Sequence, residues 1–159
     1  MAYGVDNFPV AGGTGDIHTS AQNTVGTVAR FNDGNEYIYL KGCTSCADGS
    51  VVVFQPGVWT AALVATGLKG GIAIATGAVD GSSWGWFTYV GQDVGIARSA
   101  IASNTPLFAG GVSGSLDDVA VKGDQIIGAV SRNAAAGGGD SVLIQLNRAF
   151  IGVSNESVG

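Results

Sequence analysis

Hydrophobic positions along this chain fall in short runs with a period of two, separated by glycine-rich turns, and no run holds a period of 3.6 long enough to insist on a helix. The run 24–31 reads as a strand and ends at Asn32-Asp33-Gly34-Asn35, where Asp-Gly supplies the positive φ that a tight hairpin needs. Glu36 to Lys41 follows as a strand, with Tyr37 and Tyr39 on one face and Ile38 and Leu40 on the other. Ser50–Phe54, Ile72–Thr76, Gln92–Ser99, Leu116–Val121 and Gln125–Ser131 read as further strands, while Val58–Ala65 fits a strand or one short helix, and hairpin geometry favours the strand. The cleanest alternation is Ser141–Asn147, with Val142, Ile144 and Leu146 inward, and it extends through 148–152. About ten short strands spaced about 8–12 residues apart predict an all-β fold, a single antiparallel β-barrel or sandwich over residues 24–152.

The ends behave differently. Residues 1–23 show neither period and are rich in Gly, Asn, Ser and Thr, so an extended N-terminal arm that orders against a neighbour is expected there; 153–159 reads as a tail. Ser82 to Gly91 is the most distinctive strand. It places Trp84, Trp86, Thr88 and Val90 on one face and Gly85, Phe87 and Tyr89 on the other. Neither face is polar. One should fill the core, and the other should lie under a neighbouring subunit or arm. Tyr37, Tyr39, Trp84, Trp86, Phe87 and Tyr89 are therefore the candidate assembly interface.

Composition sharpens this expectation. Only 12% of residues are charged, against about 25% in ordinary domains, and 27 are glycine. So little charge fits a protein whose surface is partly hidden in an assembly. Net charge is −5, and the seven basic residues are scattered singly, which leaves no electrostatic footprint for nucleic acid. Met1 to Asp6 has no positive segment leading into an apolar one, and the low-charge stretch 51–66 is cut by Pro56-Gly57 and is too short for a bilayer. A soluble protein made in the cytosol, with no membrane partner, is expected.

Catalytic chemistry finds little support. His18 is the single histidine, between Asp16 and Ser20, but no Gly-x-Ser-x-Gly elbow accompanies it. Asp117 and Asp118 are adjacent and would point to opposite faces, so they do not make a matched pair. Gly12 to Asp16 lacks both the Lys-Ser/Thr of a phosphate loop and the repeat of a calcium roll. No enzyme, cofactor or resident metal is expected. Cys43 and Cys46 form a Cys-x-x-Cys without a second cysteine pair or a nearby histidine. They read first as reduced residues of a hairpin loop, next as a short-loop disulfide formed in an oxidising medium, and last as metal ligands.

The order of five motifs carries a resemblance. Asp33 to Gly42 with its Glu36-Tyr37-Ile38-Tyr39-Leu40-Lys41 core, Gly71-Ile72-Ala73-Ile74-Ala75, Trp84 to Gly91, Ile126-Ile127-Gly128-Ala129, and Val142 to Arg148 together resemble the small head decoration (cement) proteins of tailed bacteriophages. The pattern covers roughly residues 24–150 and leaves out the cysteine loop and the first 23 residues. The resemblance implies a β-rich, often trimeric protein on the outside of the phage head that clamps neighbouring major capsid subunits. Its partners would then be the major capsid protein and copies of itself, and its location the virion exterior. A different reading of the same tryptophans is a β-sandwich module that binds carbohydrate on a host surface, with Trp84, Trp86 or Trp59 as stacking platforms.

Overall fold

A computed structural model describes residues 10–152, and among these there is no helix. The strands are β1 (Val28–Arg30), β2 (Glu36–Lys41), β3 (Val51–Phe54), β4 (Ala62–Leu63), β5 (Gly70–Ala75), β6 (Trp84–Ile96), β7 (Pro106–Ala109), β8 (Leu116–Asp117), β9 (Gln125–Ser131) and β10 (Ser141–Ile151). They join in one antiparallel network in the order β1-β2-β6-β5-β10-β9-β7-β8, with β3 on β5 and β4 beside β3. The chain is all-β, as its periodicity predicts, and the network does not close into a barrel.

Several elements are shorter or longer than expected. Of the strand predicted over 24–31 only β1 forms, and 58–65 contributes only the two residues of β4. The runs predicted as separate strands either side of Gly91 are one 13-residue strand, β6. The β1–β2 hairpin forms where Asp-Gly placed it: Gly34 has φ +87°, Phe31 N donates to Asn35 O at 2.9 Å, and Asn35 N donates to Asp33 Oδ1 at 3.0 Å.

β6 serves two regions of the network. Its first half pairs with β2, and from Val90 to Ile96 it pairs with β10. The change occurs at Gly91, with φ +116°, a conformation in which a Cβ is strained. Asn35 fills the space a side chain would need, donating to Gln92 O and accepting from Gln92 N, both at 3.3 Å.

The core is layered. β3 and β5 send Val51, Val53, Ile72 and Ile74 into a large aliphatic cluster with Leu107, Ile126, Val142, Ile144 and Leu146. Their alternate residues, Val52, Phe54, Ala73 and Ala75, join a second cluster with Ile38, Leu40 and Phe87. Strands covered on both faces need continuous apolar runs, which is why Val51–Phe54 lacks polar alternation. A third cluster is aromatic: Phe31, Tyr37, Tyr39 and Trp86, with Ala29.

Candidate assembly surface

The aromatic strand alternates as its sequence predicts. Phe87 enters the second cluster, Tyr89 packs on it against Phe54 with ring centroids 5.8 Å apart, and Trp86 enters the aromatic cluster. Trp86 meets Phe31 at 5.0 Å and Tyr39 at 5.1 Å, both edge to face, a favoured geometry for aromatic quadrupoles.

Of the two covers expected for that second face, a neighbouring subunit or an arm, it has the arm, with the correction that the arm is the chain's own. Residues 10–23 run irregularly across it; residues 1–9 of the expected arm and the tail 153–159 lie outside the described residues. His18 and Trp84 exchange backbone hydrogen bonds of 2.8 and 2.9 Å, and Trp86 Nε1 donates to Ala11 O at 3.1 Å. The Tyr39 hydroxyl lies 2.6 Å from His18 Nδ1 and accepts from Gln22 N at 3.1 Å. Of the six candidate interface residues, Tyr37, Tyr39, Trp86 and Phe87 are thus buried inside one chain, and Trp84 and Tyr89 are half-buried. Burying this aromatic area stabilises the single chain. Lys41 Nζ sits 5.6 Å from the centre of the Trp84 ring, which gives that indole a cationic neighbour from β2.

An apolar pair elsewhere on the sheet is left open to solvent. On β10, strict alternation would carry Val142, Ile144 and Leu146 inward and Phe150 after them. Arg148 instead adopts φ +47°, the register with β9 shifts between Leu146 and Phe150, and Ala149 and Ile151 turn inward. Such a bulge flips the sidedness of the residues beyond it. Phe150 is left 47% exposed opposite Ile127, itself 45% exposed. The face continues through Val130, Gln145, Gln92, Leu143 and Val94, each set by register, with Gln92 Nε2 donating to Gln145 Oε1 at 3.0 Å. None of these seven side chains carries a charge, and the exposed Arg148 of the bulge, paired with Glu36 at 3.4 Å, borders them. Sequence reasoning missed this face because a one-residue irregularity has no hydropathy signal; the Gly128 in β9 was its one trace, since a Cβ there would meet Asn147 O at 2.8 Å.

Asp117 and Asp118 are held by different hydrogen-bond donors. Asp117 is buried and accepts from Ser99 Oγ at 2.9 Å and Arg98 Nη1 at 3.1 Å. Burial pushes its carboxyl up, but the donors of Ser99, Val119 N and Arg98 outweigh this and hold it below its ordinary value. Its neighbour Asp118 accepts instead from Ala102 N at 2.8 Å, so the two carboxylates do not share a site. Asp93, a carboxylate that no sequence motif marks, lies in a polar recess of about 420 Å³ with Thr14, Tyr37, Asp48 and Thr76. Burial raises its pKa, the Thr88 hydroxyl and Val94 N oppose that by donating to it, and the charges of Asp48 and Asp33 add to the rise. Burial likewise raises the Tyr37 hydroxyl, which donates to Asp33. Among the described residues no three His, Cys, Asp or Glu side chains gather as metal ligands.

No family model matches this chain, and no curated protein matches it. The geometry of its surface is therefore the guide to what it does.

Proposed function

We propose that this chain is a structural assembly protein, a decoration protein on the outside of a phage head that holds neighbouring major capsid subunits together without covalent chemistry. The observation that carries the reading is Ile127 and Phe150, an apolar cross-strand pair left open on a body whose other described aromatics are all at least half-buried. The order of sequence motifs supports the same reading, as does a surface with few charges to desolvate on contact. In a symmetric shell many modest contacts sum to tight attachment, so no single deep pocket is required.

The carbohydrate reading loses ground on its platforms. Trp86 is fully buried, and Trp84 and Trp59 are half-buried against aromatic neighbours and the Lys41 ammonium. A sugar stacks on an open indole face.

The test is co-sedimentation of the purified chain with expanded heads stripped of their decoration protein, alongside light scattering of the free chain. Saturable binding to expanded heads, with none to unexpanded ones, is expected. A chain that ignores both kinds of head is not a decoration protein.

A further inference from the structure

The turn between β2 and β3 brings the two cysteines together. Cys46 N donates to Cys43 O at 3.2 Å, closing a four-residue turn with Ser45 at φ +62°, and Cys43 N donates to Val79 O at 3.2 Å, tying the turn to the loop before β6. A turn so closed holds its end Cα atoms within about 7 Å, inside the reach of a disulfide. The two cysteines are not joined by a disulfide, and each thiol perturbs the acidity of the other. Their surroundings differ: Cys46 is 5% exposed in the cluster with Val79 and Phe87, whereas Cys43 is half-buried at its rim.

We propose that Cys43 and Cys46 are a reversible dithiol–disulfide site that exchanges with low-molecular-weight disulfides of the glutathione class, Cys43 attacking and Cys46 resolving. The Cys43 thiolate bonds to one sulfur of the small disulfide, and the other half leaves as a thiolate and takes up a proton. Cys46 then loses its proton, its Sγ bonds to Cys43 Sγ, and the remaining small thiolate leaves. Two protein thiols are oxidised, and one small disulfide is reduced to two thiols. The division of roles follows from access, since an incoming disulfide reaches the rim before the buried sulfur. The acidity of the pair reinforces it: the neighbouring Cys46 thiol holds Cys43 below its ordinary value, while Cys43 and burial push Cys46 up. Sulfur exchange suits this pair better than metal binding, because no further ligands gather around it among the described residues.

Intact-mass measurement on the reduced full chain treated with oxidised glutathione tests this. The expected product has lost the mass of two hydrogen atoms, retains no glutathione and returns to the starting mass with dithiothreitol. Cys46→Ser should stop at a stable glutathione adduct on Cys43, and Cys43→Ser should react at least about tenfold more slowly than Cys46→Ser. Overturning results are a wild-type chain that keeps both thiols or stops at a stable adduct, or a Cys43→Ser variant that reacts as fast as Cys46→Ser.

Discussion

The indole N–H of Trp86 in β6 donates to the carbonyl oxygen of Ala11, 3.1 Å away and 75 positions earlier in the chain. That bond closes the aromatic cluster from outside and makes residues 10–23 part of the fold. Removing residues 1–22 should expose Trp86, shift tryptophan emission to longer wavelength and cost about 3 kcal/mol or more, because the buried Trp86 N–H and Tyr39 hydroxyl lose partners. His18→Ala, which leaves Gln22 N on the Tyr39 hydroxyl, should cost only about 1 kcal/mol. Urea unfolding monitored by fluorescence measures both.

Gly91 and Gly34 both have positive φ, yet substitution should separate them sharply. A Cβ at Gly91 would stand 1.8 Å from Asn35 Oδ1, whereas one at Gly34 meets nothing within 4 Å. Gly91→Ala should cost about 3 kcal/mol through backbone strain and the displaced Asn35 amide. Gly34→Ala should cost about 1 kcal/mol, from φ alone. Equal urea midpoints for the two would count against Asn35 as the support of the bend in β6.

Two carboxylates should respond to pH in opposite senses. The Asp93 pKa is raised on folding, so ionisation favours the unfolded chain and its penalty grows as pH rises through the ordinary carboxylate value, about 3.9, to the higher folded one. Asp93→Asn should therefore stabilise at neutral pH, with the gain fading as pH falls. The Asp117 pKa is lowered, so its stabilisation is complete above the ordinary value and is lost as pH falls through the folded one. Asp117→Asn should destabilise at neutral pH and converge on the wild type in acid. Thermal unfolding of the three proteins between neutral pH and acid checks both signs.

Charge placed on the open face should spare the fold and abolish assembly. Phe150→Asp and Ile127→Lys alter exposed side chains and should change stability by about 0.5 kcal/mol or less. Each puts a charge that must be desolvated at the centre of the proposed contact, so head binding should fall at least about tenfold. Unchanged co-sedimentation of both variants would move the contact to another surface.

Much of the architecture is legible without coordinates. The Asp33-Gly34 hairpin, β2 with its tyrosines opposite Ile38 and Leu40, and the opposed directions of Trp86 and Phe87 all follow from period two and turn chemistry. The all-β class follows from the same local rules. Adjacency on a strand also separates Asp117 from Asp118, which accept from different donors.

Which surfaces meet is beyond the reach of local rules. Residues 10–23 show no period, so only the tertiary structure assigns them to the aromatic face of their own chain, where the Trp86 N–H and Tyr39 hydroxyl require partners. Alternation along β10 is determined by sequence as far as Leu146. Beyond it, the Arg148 bulge, seated against the Gly128 backbone of β9, decides that Phe150 faces outward. Hydropathy marks a residue as apolar, but sidedness after a bulge depends on the neighbouring strand, and that neighbour exists only once the chain has folded.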